Sequence, residues 1–184
     1  MTHILALAGS LRKASFNLGL ANAARDLAPA GVTATVHTLH GIPLYDGDAE
    51  AAHGIPEAVT RLKAAIIEAD AVLLATPEYN NGIPGVFKNG IDWLSRPSGD
   101  IPKVFGGKPF ALVGASPGGF GTILSQNAWL SVLRTLGVHF WNEGRLLVSR
   151  AGQAFDADGN LTDEPTRQRL GEFVAGFASF ASGK

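Results

Sequence analysis

Cysteine is absent from the 184 residues, methionine occurs once and tyrosine twice. Without cysteine there are no disulfides and no thiolate metal ligands, a usage that fits a cytoplasmic protein. Charge is scarce and balanced: 15 Lys and Arg against 16 Asp and Glu give a formal net charge of −1. Nothing in that balance draws nucleic acid or an acidic membrane surface. No apolar run reaches the roughly 18 residues of a membrane span, and the amino terminus lacks the basic segment, apolar stretch and small-residue cleavage site of a secretory signal. Metal-ligand clusters are missing too. His37 and His40 lie three apart, a spacing that an extended strand turns to opposite faces, and no grouped carboxylates complete a site. Asp156-x-Asp158-Gly159-Asn160 has its glycine two positions early for a calcium loop, and a hairpin turn accounts for it better.

What the chain does have is apolar content, at 46%, and 23 glycines. A chain of this length buries roughly 70% of its unfolded surface, enough for one domain over residues 1–184. Short apolar runs alternate with amphipathic stretches. Strands are expected at 3–9, 31–37, 70–76 and 109–114, with a broken fifth strand at 138–141 and 146–148. Helices are expected at 16–28, from Pro56 to 69, at 84–94, at 122–136 and from about 164 to 181, with loops over 40–55 and 95–107. Strands without polar alternation require cover on both faces, so the predicted class is α/β, a doubly wound parallel sheet of five strands with helices on both sides. Trp93, Trp129 and Trp141, with Leu133 and Phe140, belong to the core or to a subunit interface, and the apolar helices 84–94 and 122–136 make a dimer plausible.

Right-handed crossovers put ligand loops at the carboxyl ends of parallel strands. Three segments fall there, 9–17, 76–82 and 115–121, each rich in Gly, Ser, Asn or Pro. The first, Gly9-Ser10-Leu11-Arg12-Lys13-Ala14-Ser15-Phe16-Asn17, runs from a strand into a helix. It has neither Walker nor GxGxxG spacing. Its hydroxyls, its guanidinium and the free N–H groups of the helix start suit a terminal phosphate monoester, while Ser15 or Asn17 equally serves as an ordinary helix cap. In the second, Pro77 ends the strand, Tyr79 offers an aromatic wall, and Gly82 and Gly85 permit close approach; a plain turn with a solvated Glu78 has the same composition. The third, Ser116-Pro117-Gly118-Gly119-Phe120-Gly121-Thr122, could turn N–H groups toward the edge of a heterocycle.

GSLRKASFN at 9–17 and PEYNNGIPGVFKNGIDWLSRP at 77–97 resemble the two signature segments of NAD(P)H-dependent FMN reductases, a group that includes flavin, quinone, azo-dye and chromate reductases. The resemblance covers essentially the whole chain and departs from the family at Gly90, where alanine is expected. It implies a flavodoxin-like fold and an enzyme that passes a hydride from NADPH or NADH to FMN and on to a small acceptor, in ping-pong order. By position, Ser10, Arg12, Ser15, Phe16 and Asn17 would hold the FMN phosphate, Pro77, Glu78, Tyr79 and Asn80 would line the isoalloxazine ring, and Ser116, Gly118 and Gly119 would approach its other edge. No catalytic side chain is implied, because the cofactor carries the chemistry. A homodimer or homotetramer is implied as well. The competing readings are a flavodoxin-type electron carrier, a class generally far more acidic than this chain, and a non-redox, FMN-binding regulator that keeps the fold.

Overall fold

Every residue of the strand Ala71–Ala75 is buried, and Ile4 to Ala8 are at most 1% exposed. Such strands are stable only inside a sheet covered on both sides. The computed structural model describes residues 1–183. In chain order it contains β1 (Thr2–Ala8), α1 (Phe16–Asp26), β2 (Val32–Thr38), α2 (Gly47–His53), α3 (Glu57–Glu68), β3 (Ala71–Ala75), α4 (Gly85–Leu94), α5 (Ile101–Val104), β4 (Pro109–Ala115), α6 (Ile123–Leu136), β5 (His139–Phe140), β6 (Leu146–Val148) and α7 (Glu164–Ala181).

All pairings are parallel and the order is β2-β1-β3-β4-β5, the flavodoxin-like arrangement. The broken fifth strand is present: β5 pairs with β4 at Pro109 and Phe110, and β6 pairs with it again at Val113 to Ala115. Between the two pieces Trp141 turns into the core, 5% exposed, and packs edge-on against Phe173. The sheet's alternation sorts its side chains onto two cores. Ile4, Ala6, Leu73 and Val113 face α1 and α7, whereas Leu5, Leu7, Leu74 and Leu112 face α3, α4 and α6. Trp93, Trp129 and Leu133 are all at most 1% exposed, which makes them core.

The segment 40–55 is not all loop, because α2 lies inside it. Asp46 caps that helix by accepting from the N–H groups of Asp48 and Ala49, yet none of its residues is buried, so no apolar periodicity announces it. It is strapped to the body by polar contacts. Arg96 Nε donates to Glu50 Oε2 at 2.9 Å, Tyr45 Oη donates to the same carboxylate at 2.9 Å, and Pro43 O accepts from Trp93 Nε1 and Asn89 Nδ2. The loop 95–107 likewise contains a 3-10 turn and the short α5. Gly90 has a packing reason: a Cβ there would lie 2.6 Å from Leu39 Cδ2, in the full core. The hairpin expected near Asp158-Gly159 is present between Phe155 and Leu161, and Asp156 Oδ1 accepts the N–H groups of Asp158 and Asn160.

The Arg96 hydrogen bond, ahead of the one from Tyr45, holds the Glu50 carboxyl below its ordinary value. A carboxyl lowered by folding stabilises above its unfolded-state pKa and loses that contribution as pH falls through the folded value. Glu50→Gln is therefore expected to lower the thermal midpoint at pH 7 and to flatten part of its decline in acid. A variant with the wild-type midpoint and the wild-type acid slope would show that the strap carries no weight.

Candidate functional site

β1 ends against the N-terminal turn of α4. Gly9 N–H donates to Ala75 O at 2.9 Å, and a Cβ at Gly9 would sit 2.0 Å from the Phe87 ring, so only glycine lets the chain pass. The turn then reaches Ser15, whose Oγ accepts from Leu18 N–H at 3.3 Å and caps α1. Ser15 is thus the helix cap, and the capped turn still leaves donors unused. Phe16 and Asn17 are the first two helical residues, and their N–H groups have no partner among the described residues. The Phe16 ring packs on Phe155 with centroids 5.1 Å apart, leaving its backbone at the opening. Ser10 Oγ accepts from Arg12 N–H at 3.3 Å and lies 3.5 Å from Tyr79 Oη. The Arg12 side chain is exposed and pairs with no carboxylate among the described residues.

Asn17 does more than face this opening. Its Nδ2 donates to Ala115 O at 2.9 Å, and Ala115 N–H donates to its Oδ1 at 2.9 Å, with the residue 3% exposed. The amide is a clamp between α1 and the end of β4. Only its second Nδ2 hydrogen and its backbone N–H remain for a ligand.

The second loop is locked from beneath. Thr76 Oγ1 accepts from Trp129 Nε1 at 3.0 Å, donates to Pro77 O at 2.9 Å, and lies 3.0 Å from Ser125 Oγ. A hydroxyl has one proton, so Ser125 is the donor in that last pair. Glu78 Oε2 accepts the N–H groups of Leu124 at 2.9 Å and Ser125 at 3.0 Å, capping α6, whose own Thr122 makes no side-chain cap. The Glu78 carboxylate thus points to α6, and its backbone is the part left toward the opening. Tyr79 and Gly82 close a two-residue turn through Asn80 and Asn81, both at positive φ, 49° and 62°. Asn80 is exposed on that turn.

Third comes the loop after β4. Ser116 N–H donates to Val148 O at 3.0 Å and Gly118 N–H to Ser116 Oγ at 3.2 Å. Gly118 O accepts from Arg150 N–H at 3.0 Å. The three loops meet at a recess of about 60 Å³ lined by Ser10, Arg12, Ser15, Phe16, Asn17, Pro77, Glu78, Tyr79 and Ser116, together with Ala115 and Pro117. Asn80, Gly118 and Gly119 lie outside that lining, on exposed backbone beside it.

His40 belongs to this region and is not legible as such in the sequence. Its Nε2 lies 3.2 Å from Leu11 O, so it donates there, and its Nδ1 lies 3.0 Å from Thr38 Oγ1. It ties the end of β2 to the first loop. His37 is held below its ordinary value by partial burial and then by His3. Among the described residues no three His, Asp or Glu side chains are grouped as metal ligands, and no helix is long and apolar enough to cross a membrane.

The family model described as NADPH-dependent FMN reductase matches residues 2–153. An NAD(P)H-dependent FMN reductase of Pseudomonas aeruginosa is 44% identical over 167 residues, 91% of this chain and 88% of that protein. A 2-hydroxy-1,4-benzoquinone reductase of a Burkholderia species is 38% identical over 96% of this chain and 94% of its own. Among solved structures, the flavoenzyme FerB of Paracoccus denitrificans, an NAD(P)H:(acceptor) oxidoreductase, superposes with a TM-score of 0.84 at 37% identity, covering 100% of this chain and 98% of its own.

Removing the Asn17 side chain would strand the buried N–H and C=O of Ala115. Asn17→Ala is expected to cost about 2–3 kcal/mol in urea unfolding. Glu78→Ala, which uncaps α6, is expected to cost about 1 kcal/mol. An Asn17→Ala loss below about 0.5 kcal/mol, the scale of an ordinary surface change, would remove the clamp from the scaffold.

Proposed function

The chain belongs to the NADPH-dependent FMN reductase family, and from that premise we propose that it oxidises NADPH or NADH and reduces a quinone, a flavin or a similar small acceptor, with FMN as its resident cofactor. The observation that carries this reading is the recess of about 60 Å³ shared by three loops. It presents two unpartnered N–H groups at a helix start, an unpaired arginine and two hydroxyls, the donor set of a phosphate monoester. A planar ring attached to that phosphate has somewhere to go, because Pro77, Tyr79 and Pro117 border the opening. The residues therefore fit FMN, and the family implies a flavin and NAD(P)H.

When bound, FMN supplies the relay of a hydride from the dinucleotide to the acceptor, so that NAD(P)H, a proton and a quinone become NAD(P)⁺ and a quinol. The chain's own residues bind and orient. Phe16 and Asn17 N–H, at the positive end of α1, meet the phosphate with Arg12, Ser10 and Ser15. Lys13, exposed next to Arg12, adds attraction only. Pro77, the Glu78 backbone, Tyr79 and Asn80 line one side of the ring, and Ser116, Gly118 and Gly119 approach the other. Those backbone N–H groups along this edge that are not spent within the loops would stabilise negative charge on a bound ring. No side chain acts as general acid or base, and protons come from water at the open cleft. Dinucleotide and acceptor use that cleft in turn, which gives ping-pong order. Residues 1–184 act as one domain. The exposed Phe120, Leu124 and Leu130, at 84%, 46% and 42% exposure, favour assembly as a homodimer or homotetramer.

Protein supplied with FMN is expected to become yellow and to bleach when mixed with NADPH or NADH without air, then to recover colour on adding a quinone. Arg12→Ala should weaken FMN binding by about tenfold, the loss of one charge-assisted contact at an exposed site. Bound flavin that neither nucleotide bleaches would leave the electron carrier or the non-redox regulator, and absence of flavin binding at micromolar concentration would overturn the reading.

A further inference from the structure

Beside the third loop lies a polar hollow that the flavin reading leaves unused. β6 ends at Val148, in register with Ala115 at the end of β4, so residues 149–153 run next to residues 116–119 at the same edge of the sheet. Backbone bonds fasten the two segments, from Arg150 N–H to Gly118 O at 3.0 Å and from Ala151 N–H to Ser116 O at 3.1 Å. Arg150 is held in the left-handed region, φ 49° and ψ 44°, which an arginine adopts only under constraint from its surroundings. Its guanidinium has no hydrogen bond or ion pair among the described residues. It lines a hollow of about 190 Å³ with Ser149, Gln153, Thr166, Arg169 and Asp163.

The charges of this hollow are unequal. The Asp163 carboxylate is already used, accepting Thr166 N–H at 2.9 Å as the cap of α7. Arg169 Nη2 donates to Thr166 Oγ1 at 3.1 Å and keeps its remaining donors. Two guanidinium groups against one capped carboxylate leave a net positive hollow, furnished with a hydroxyl and an amide, one strand away from the proposed ring loop. NADPH and NADH differ only by a phosphate on the adenosine 2′-oxygen. A dinucleotide that enters the opening beside the third loop must set its adenosine on neighbouring surface.

We propose that the hollow between β6 and the start of α7 receives the 2′-phosphate of NADPH, with Arg150 as the residue that selects NADPH over NADH. This rests on the reductase reading above. Arg150 supplies a planar fork of donors to the phosphate, Arg169 supplies a second cation, and Ser149 and Gln153 supply neutral hydrogen bonds.

The test compares FMN-loaded wild type with Arg150→Asn, a residue that tolerates positive φ, and with Arg150→Lys, reading kcat/KM for both nucleotides. Arg150→Asn is expected to lower the NADPH-to-NADH ratio of kcat/KM about tenfold through KM, and Arg150→Lys to lower it less. The inhibitor 2′,5′-ADP should bind wild type about tenfold tighter than 5′-AMP, a difference that Arg150→Asn abolishes. Flavin retention checks that each variant is folded. A ratio that moves less than twofold in a flavin-loaded variant overturns the assignment while the reductase reading stands. Inorganic phosphate competing as well as 2′,5′-ADP overturns it in favour of a free-anion pocket. Wild type that oxidises neither nucleotide overturns the reductase reading, and the assignment with it.

Discussion

One buried amide holds the candidate site together. Asn17 exchanges two hydrogen bonds of 2.9 Å with the backbone of Ala115, joining residues 98 apart in sequence. It fixes the start of α1 against the end of β4, so the unpartnered N–H groups of the first loop and the backbone of the third face one recess. Without that tie the two loops would be independent, each a helix entry or a turn of no particular chemistry. The location is physically apt. It sits at the carboxyl edge where the connection from β1 runs to β2 on one side and that from β3 runs to β4 on the other, the crevice that a doubly wound sheet leaves open.

A second set of contacts repeats the logic from the other direction. Glu78 spends its carboxylate on the N–H groups of α6, and Thr76, Ser125 and Trp129 share a buried network that presents Pro77. Side chains that look like ligand donors are therefore partly scaffold, and the groups turned to the opening are largely backbone. Backbone donors fixed before a ligand arrives lose little entropy on binding, an advantage for a cofactor that is held rather than transformed by the protein.

The legible features were those determined by local pattern. Strands such as Ala71–Ala75 announce themselves because every residue is apolar, and the loops at their ends follow from the handedness of crossovers. The recess collects Ser10, Arg12, Ser15, Phe16, Asn17, Pro77, Glu78, Tyr79 and Ser116 from three such loops. The polar helix α2 could not be seen, because none of its residues is buried and Arg96, 46 positions from Glu50, is what straps it down. The clamp by Asn17, the cap by Glu78 and the brace by His40 were hidden for the same reason: each partner is distant in sequence and is a backbone group, which carries no residue-specific signal. Arg150 was hidden by a conformation, since its left-handed backbone shows only in the folded chain.

The most direct measurement is the affinity of the chain for FMN set against riboflavin, which lacks only the phosphate. An anchor built from the α1 start, Arg12 and the hydroxyls of Ser10 and Ser15 predicts that riboflavin binds at least about a hundredfold more weakly, near 2.7 kcal/mol. Equal affinities would contradict it, and would move the phosphate, or the flavin itself, away from residues 10–17.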